Sequence, residues 1–322
     1  MLSVLIAVFC LVAAGVPSHA AESDYKYHWK LATTETADYY MTVLAQDFIN
    51  RVNKRTNGKV TGQVFHSGQI GNLVDALEGL ELGNVDIVMD GLSSLGAINR
   101  IFDAWGLPYL YDSKEHQYRV WDQHFDTIAD LIAKECGIRI VTVIDGLNRE
   151  LSSTVPVNSI EDLKGLKIRV PTIPAYLRIW ECFGAAPVPM AFSEVYTAIQ
   201  TGVVEGQEND IPLTLSMNFY EVAKYCVLTH HVAYEGSLYF NDEKFNSYPK
   251  ELQQIIKEVG AEIIAESRSM IKDIETKAMA KLDELGITVL RPDLAPFKEA
   301  VKPMYAEYSY CKPITDLVDA AR

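Results

Sequence analysis

Apolar positions along the chain switch repeatedly between two periods. Tyr27–Ala32 reads as a strand, and Met41, Leu44, Ala45, Phe48 and Val52 then recur at helical spacing. Asp38 is the expected N-cap of that helix and Asn57-Gly58 its stop. Val60–Phe65 reads as a second strand. Asn72 is placed to cap a helix over Leu73–Leu82 that Gly83 closes, and Val85–Asp90 is a short apolar strand. The order strand, helix, strand, helix, strand predicts an α/β layer with a largely parallel sheet.

The theme continues downstream. Tyr118–Lys134 is helical, Ile138–Ile144 is a β-branched strand, Asp145-Gly146 marks a break, and Glu150–Val155 is extended. Ser159-Ile160-Glu161-Asp162 has the spacing of a capping box and opens a short helix ending at Gly165. Lys167–Val170 is a strand stopped by Pro171. Pro174 suits the first turn of a helix reaching Phe183, with Gly184 behind it. Ser193 is expected to cap Glu194–Thr201, which Gly202 closes. Pro249–Leu285 is the longest helical stretch, about 50 Å at roughly 1.5 Å per residue, enough to reach across two small domains. No linker separates two domains, so the chain is expected to cross between them more than once.

Composition narrows the class. The chain has 322 residues, 48% apolar and 22% charged, which suits a globular protein of about two domains. Acids outnumber bases 43 to 29, for a net charge of −14. Such a chain lacks the basic footprint of a nucleic-acid binder and fits poorly on anionic lipid. Leu2–Val16 is a nearly unbroken apolar run, too short to span a bilayer comfortably, and Ser18-His19-Ala20 has the small-x-small pattern of a signal-peptidase site. Residues 1–20 are therefore read as a signal peptide cleaved after Ala20, although no Lys or Arg precedes the apolar run. The expected product is exported and periplasmic, with no stable membrane insertion. Cys136, Cys182, Cys226 and Cys311 have long, irregular spacing and no CxxC, which argues against zinc; export permits one disulfide or none.

Catalytic signatures are missing from the sequence: GxSxG, HExxH and GxxxxGK[ST] do not occur, and Gly68, Gly71 and Gly79 make no GxGxxG. No enzyme activity, metal or cofactor is expected. His230-His231 is a tempting pair, but neighbours on a strand point to opposite faces. Within Lys167–Val170, Ile168 and Val170 share one face, and Lys167 and Arg169 the other. Arg169 and Lys167 read first as a solvated basic face; the alternative is a guanidinium aimed at a cleft, offering a planar fork to a carboxylate or sulfonate. Arg149, between Asn148 and Glu150, carries the same ambiguity.

Three blocks resolve it by resemblance: Asp162-Leu163-Lys164-Gly165-Leu166-Lys167-Ile168-Arg169-Val170-Pro171, then Gly184–Tyr196, then Gly202-Val203-Val204-Glu205-Gly206-Gln207-Glu208-Asn209. In order and spacing they resemble the DctP-type solute-binding proteins of tripartite ATP-independent periplasmic (TRAP) transporters. Gly68-Gln69-Ile70-Gly71, Gly83-Asn84-Val85-Asp86, Trp105–Tyr109 and Pro292–Phe297 resemble further blocks of that family, so the resemblance spans nearly all of Tyr25–Arg322.

The resemblance implies a two-lobed α/β periplasmic binding protein with a central cleft, a chain crossing between lobes and a long helix spanning both. Lobe I would comprise residues 25–146 plus about 235–273, and lobe II 147–234 plus about 274–322. It implies capture of a small organic anion (a sugar acid, a dicarboxylate, or a 2-oxo or hydroxy acid), delivery to TRAP membrane permease subunits, and a monomer. Arg169 matches the family's carboxylate-binding arginine, Asn209 an asparagine that bonds the same group, and Arg149 a second arginine seen in many members. Thr172 and Phe192 fall on cleft positions. Thr34, Glu35 and Asp90 fall on positions that touch the rest of the ligand, where hydroxyl or ammonium groups would be received. Members that bind sialic acid carry acidic residues where Leu73 and Gly91 stand here, which argues against that ligand. A small sulfonate is the alternative head group, and a membrane sensor the alternative partner.

Overall fold

The computed structural model describes residues 25–322; the signal peptide read over residues 1–20 lies outside them. The described residues form a nine-stranded sheet: β1 (Tyr27–Ala32), β2 (Val60–Phe65), β3 (Ile87–Gly91), β4 (Ile138–Ser153), β5 (Lys167–Val170), β6 (Ala186–Pro189), β7 (Gly206–Asn209), β8 (Tyr225–Asn241) and β9 (Thr288–Leu290). The helices are α1 (Tyr40–Arg55), α2 (Leu73–Glu81), α3 (Lys114–Cys136), α4 (Pro174–Cys182), α5 (Val195–Gln200), α6 (Ile211–Ser216), α7 (Asp242–Ser247), α8 (Lys250–Glu284) and, closing the chain, α9 (Ala295–Ala300), α10 (Lys302–Glu307) and α11 (Lys312–Ala320).

The strand order is β2-β1-β3-β8-β4-β7-β5-β6, with β9 on β8. Two long antiparallel strands, β4 and β8, run through both halves of this sheet. Ile138–Asp145 of β4 and Glu235–Asn241 of β8 belong with the β1–β3 half, where β1 is parallel to β2 and β3. Arg149–Ser153 and Tyr225–Val232 belong with the half in which β5 lies parallel to β6 and β7. Between the halves the β4–β8 register slips: Asp145 faces Glu235, but Asn148 faces Ala233. Such bulges bend and twist a strand pair.

The expected break at Asp145-Gly146 is therefore a correction. Those residues stay within one continuous strand because the ladder absorbs an extra residue as a bulge. Gly146 is needed for close approach: a Cβ there would lie 2.3 Å from the Tyr234 carbonyl oxygen. Two caps also differ. Tyr39, not Asp38, occupies the N-cap of α1, and Asp38 is exposed. Ser193 caps nothing; the Glu194 carboxylate instead accepts from the Ala191 N–H, 3.2 Å away. Asn72 does cap α2, accepting from Val74 and Asp75 N–H groups at 2.8 and 3.3 Å while the Asp75 carboxylate accepts from the Asn72 N–H.

Helix α8 has 35 residues. Its first half buries Leu252, Ile256, Val259 and Ile263 in a core with Trp29, Leu31, Phe48 and Phe240. Its last turns bury Ala278 and Leu282 with Ile211, Cys226 and Ile287, so one rod ties the halves together. At Gly260 it lies so close to β4 that a Cβ would sit 2.0 Å from the Val141 carbonyl oxygen. The largest core, with Phe102, Trp105, Trp121 and Trp180, continues through both halves on the other side of the sheet. The four described cysteines are unbridged.

Candidate ligand-binding site

In both halves the parallel strands send their carboxyl ends towards the same space, where ligands of open α/β sheets bind. A cavity of about 680 Å³ lies there, within the range of small-molecule sites, roughly 300–1,000 Å³. Thr34 and Glu35 follow β1, Asp90 ends β3, Arg149 comes from β4, Arg169 and Thr172 from β5 and the turn after it, Phe192 from the segment after β6, and Asn209 from the end of β7. All eight line the cavity.

Arg169 departs from the solvated reading of its strand face. Lys167 is exposed, but Arg169 is 3% exposed, covered by the chain that follows β6. Its Nε and Nη2 both donate to the Met190 carbonyl oxygen, at 3.2 and 2.9 Å, and its guanidinium stands 5.5 Å from the centre of the Phe192 ring. Among the described residues no carboxylate comes within ion-pairing distance. Burial pulls its pKa down to about 10, against the pull of Glu208, so it remains cationic at neutral pH. A buried cation of this kind is costly until an anion meets it.

Arg149 has such an anion already. Its Nε donates to Glu208 Oε2 at 2.5 Å, and its Nη2 to Glu208 Oε1 at 2.9 Å and to the Glu208 carbonyl at 2.7 Å. The rings of Tyr176 and Tyr234 stand 5.1 and 5.3 Å from the guanidinium. Burial alone would raise the Glu208 carboxyl; Arg149, with a further bond from His231, holds it at about 2 instead. His231 Nε2 lies 3.1 Å from Glu208 Oε2, and since a carboxylate only accepts, Nε2 carries the proton. Its Nδ1 lies 2.8 Å from the Thr229 hydroxyl. His230, at a φ of +45° where the β4–β8 register slips, is turned away from this cluster and pairs with Glu150 at 2.5 Å.

Asn209 is 3% exposed and donates to Gln207 Oε1 at 2.8 Å. The acids in the cavity wall and behind it are of another kind. Burial raises Asp90 to about 7, although the Gly91 N–H and Arg149 act against it. Burial likewise raises Asp210 to about 6, against the Tyr39 hydroxyl, which donates to it at 2.5 Å, and the Leu213 N–H. Glu35 is raised well above the usual carboxylate range, first by burial and then by Asp90 and Asp210.

Sequence reasoning did not single out Tyr176, Tyr234 or Ser93, which also line the cavity. Tyr176 donates its hydroxyl to Ser93 Oγ at 2.9 Å, and Tyr234 donates to Glu35 Oε1 at 3.2 Å. An aromatic on a helix or mid-strand reads as core, and only the fold brings these hydroxyls to the cleft. Glu208 lies inside a recognised block without an assigned role; its strand, Gly206-Gln207-Glu208-Asn209, is polar throughout and gives no local sign that this charge is buried.

The family profile described as bacterial extracellular solute-binding protein, family 7 (DctP), matches residues 31–310. The chain is 31% identical over 278 residues, 86% of each protein, to the sialic acid-binding periplasmic protein SiaP of Vibrio cholerae. It resembles the TRAP periplasmic solute-binding protein of Xanthobacter autotrophicus, solved with bound β-D-galacturonate, at TM-score 0.87 and 28% identity, over 91% of this chain and 98% of that one. The TRAP periplasmic solute-binding protein of Sulfitobacter sp. NAS-14.1, also with bound β-D-galacturonate, gives TM-score 0.86 and 31% identity, over 92% and 99%.

Proposed function

Because the chain belongs to the DctP family of bacterial extracellular solute-binding proteins, which serve TRAP transporters, we propose that its cleft captures a monoanionic sugar acid, with the carboxylate on Arg169. The observation that carries this reading is the difference between the two cleft arginines. Glu208 neutralises Arg149, whereas Arg169 has no carboxylate partner among the described residues. One uncompensated guanidinium suits one anionic group, received by a bidentate fork. A second carboxylate, as in a dicarboxylate, would face the wall of Glu35 and Asp90, where among the described residues no uncompensated cation stands to receive it. Hydroxyls suit that wall, and the bound β-D-galacturonate of two similar proteins has this combination of one carboxylate and many hydroxyls. Asn209, Thr172 and Phe192 would complete the head-group side, and Thr34 the hydroxyl side. Sialic acid fits less well: a Cβ at Gly91 would lie 2.4 Å from the Tyr234 ring, leaving no room for an acidic side chain there.

The bulged crossing of β4 and β8 supports the division into lobes at 146/147 and 234/235, with α8 bridging them. Closure of the lobes would exclude water and strengthen each charge-assisted bond. In this reading the protein is a periplasmic monomer, processed after Ala20, that hands its ligand to the permease subunits and catalyses nothing. A thermal-shift panel tests it. D-Galacturonate, D-glucuronate and L-galactonate are expected to stabilise the protein, by about 2.7 kcal/mol at about 100 times the dissociation constant. Stabilisation by succinate or taurine, with none by any sugar acid, would contradict it.

A further inference from the structure

The wall built by the ends of β1 and β3 holds a carboxyl group that the protein itself leaves half satisfied. Glu35 is 5% exposed. Its backbone is fixed, with the N–H donating to Thr33 Oγ1 at 3.2 Å and the carbonyl accepting from the Ser67 N–H at 2.7 Å. Oε1 accepts from the Tyr234 hydroxyl, but Oε2 is buried without a protein partner, in a side chain that lines the cavity. The groups facing it are Asp90 from β3, Asp210 ahead of α6, Tyr39 and Tyr40 from α1, Tyr234 from β8 and Arg149 from β4. Two of these are carboxyls, and the one cation is already bound to Glu208. A charged Glu35 would thus lie buried beside like charges with one neutral donor, and desolvation and repulsion both favour the neutral form.

We propose that Glu35 meets the ligand as a neutral carboxylic acid whose Oε2 hydroxyl donates to the ligand's tail, and that this wall selects hydroxyl-bearing anions over ammonium-bearing ones. The inference rests on the reading that an anion binds in this cleft. A ligand hydroxyl accepts from the Oε2 proton and still has its own hydrogen to give. An ammonium group is donor only, so it meets the acid proton head-on unless Glu35 first gives that proton up. Keeping Glu35 neutral also lets a monoanion enter without facing a further negative charge.

Infrared spectroscopy of the ligand-free protein at pH 7, wild type against Glu35→Gln, reads the protonation state directly. The expected difference is loss of a protonated-carboxyl C=O band in the variant; loss of a carboxylate band instead would overturn the proposal. Should Glu35→Gln fail to fold, ¹³C NMR of the carboxyls in a Glu235→Gln protein, which lacks the other glutamate that burial raises, decides: a glutamate still protonated at pH 7 supports it, and every glutamate ionised overturns it. Because these measurements use no ligand, their failure is separate from failure of the sugar-acid reading, which the thermal-shift panel reports. With any panel acid that binds, Glu35→Gln, which keeps a donor and an acceptor, is expected to hold affinity within about threefold; an ionised Glu35 predicts a loss of about tenfold or more, and that outcome would also overturn the proposal.

Discussion

Arg149 and Glu208 are joined by three hydrogen bonds, Nε to Oε2 at 2.5 Å, Nη2 to Oε1 at 2.9 Å and Nη2 to the Glu208 carbonyl at 2.7 Å. The pair is buried between the rings of Tyr176 and Tyr234, with His231 on Oε2, the carboxylate oxygen that also accepts from Arg149 Nε. This arrangement gives the two cleft arginines different work. Arg149 holds the wall of the cavity, whereas Arg169 has no carboxylate partner among the described residues.

Arg149→Ala and Glu208→Gln are accordingly expected to act on stability. Each leaves one buried charge without its partner, and breaking such a pair costs about 3–5 kcal/mol. Urea unfolding of the ligand-free variants checks this, with Arg169→Ala alongside. Arg169→Ala is expected to lose little or nothing, since it removes an unpaired buried cation. Equal midpoints for wild type and Arg149→Ala would contradict the account.

Gly260→Ala is expected to destabilise by about 1–3 kcal/mol, the cost of overpacking a well-filled contact. The added methyl would lie 2.0 Å from the Val141 carbonyl oxygen, so α8 would have to shift off β4. Thermal unfolding reads the effect, and because α8 bridges both halves, a single transition at lower temperature is expected. An unchanged melting temperature would show that the helix does not press on the sheet there.

Much of this fold is visible in the order of residues because its signals are local. The strand Lys167–Val170, the Asn72 cap and the glycines that close α2, α4 and α5 depend on neighbours within a few positions. The eight cleft residues also converge on one cavity, since all but Arg149 sit near a strand end or in the segment behind it, where the fold class directs function, and Arg149 lies beside the bulge of β4. What local pattern cannot show is which charges meet. Arg149 and Glu208 lie 59 positions apart, and Tyr39 and Asp210 lie 171 apart. Asp145-Gly146 has the composition of a turn, but Glu235 and Tyr234, far along the chain, keep it in the sheet.

Tyr39→Phe is expected to destabilise by about 1.5–3 kcal/mol, the value of a hydrogen bond to a charged group. The ring still fits, and Asp210 keeps its bond from the Leu213 N–H. Tyr39 leads into α1 beside β1, and Asp210 follows β7, so this bond joins the two halves of the sheet. Urea unfolding at pH 8, where Asp210 is ionised, is the measurement. A change near zero would mean the hydroxyl is equally well served by water.

The raised carboxyls set a pH dependence. Asp90 moves from its ordinary 3.8 to about 7, Asp210 from 3.8 to about 6, and Glu235, buried among Trp121, Gln117 and Tyr111, from 4.5 to about 7. Between about pH 4 and 7 the folded state therefore holds more protons than the unfolded chain, and stability falls as pH rises through that window. Glu208 acts in the other sense: its folded value of about 2 lies below the ordinary 4.5, so its contribution is present above about 4.5 and lost towards pH 2. The urea midpoint is expected to be higher at pH 5 than at pH 8, with Asp90→Asn narrowing the gap. A higher midpoint at pH 8 would contradict the burial of these acids.

The central claim is that Arg169 receives the ligand's carboxylate, and titration calorimetry of Arg169→Ala and Arg169→Lys with D-galacturonate, or with whichever panel acid binds the wild type, tests it most directly. Lysine keeps the charge but replaces the planar fork with a point donor, so it is expected to bind more weakly than wild type and more tightly than alanine. Two charge-assisted bonds at about 1.5–3 kcal/mol each put the alanine loss at roughly a hundredfold or more, with the fold intact. A folded Arg169→Ala protein that binds the acid with wild-type affinity would contradict the account.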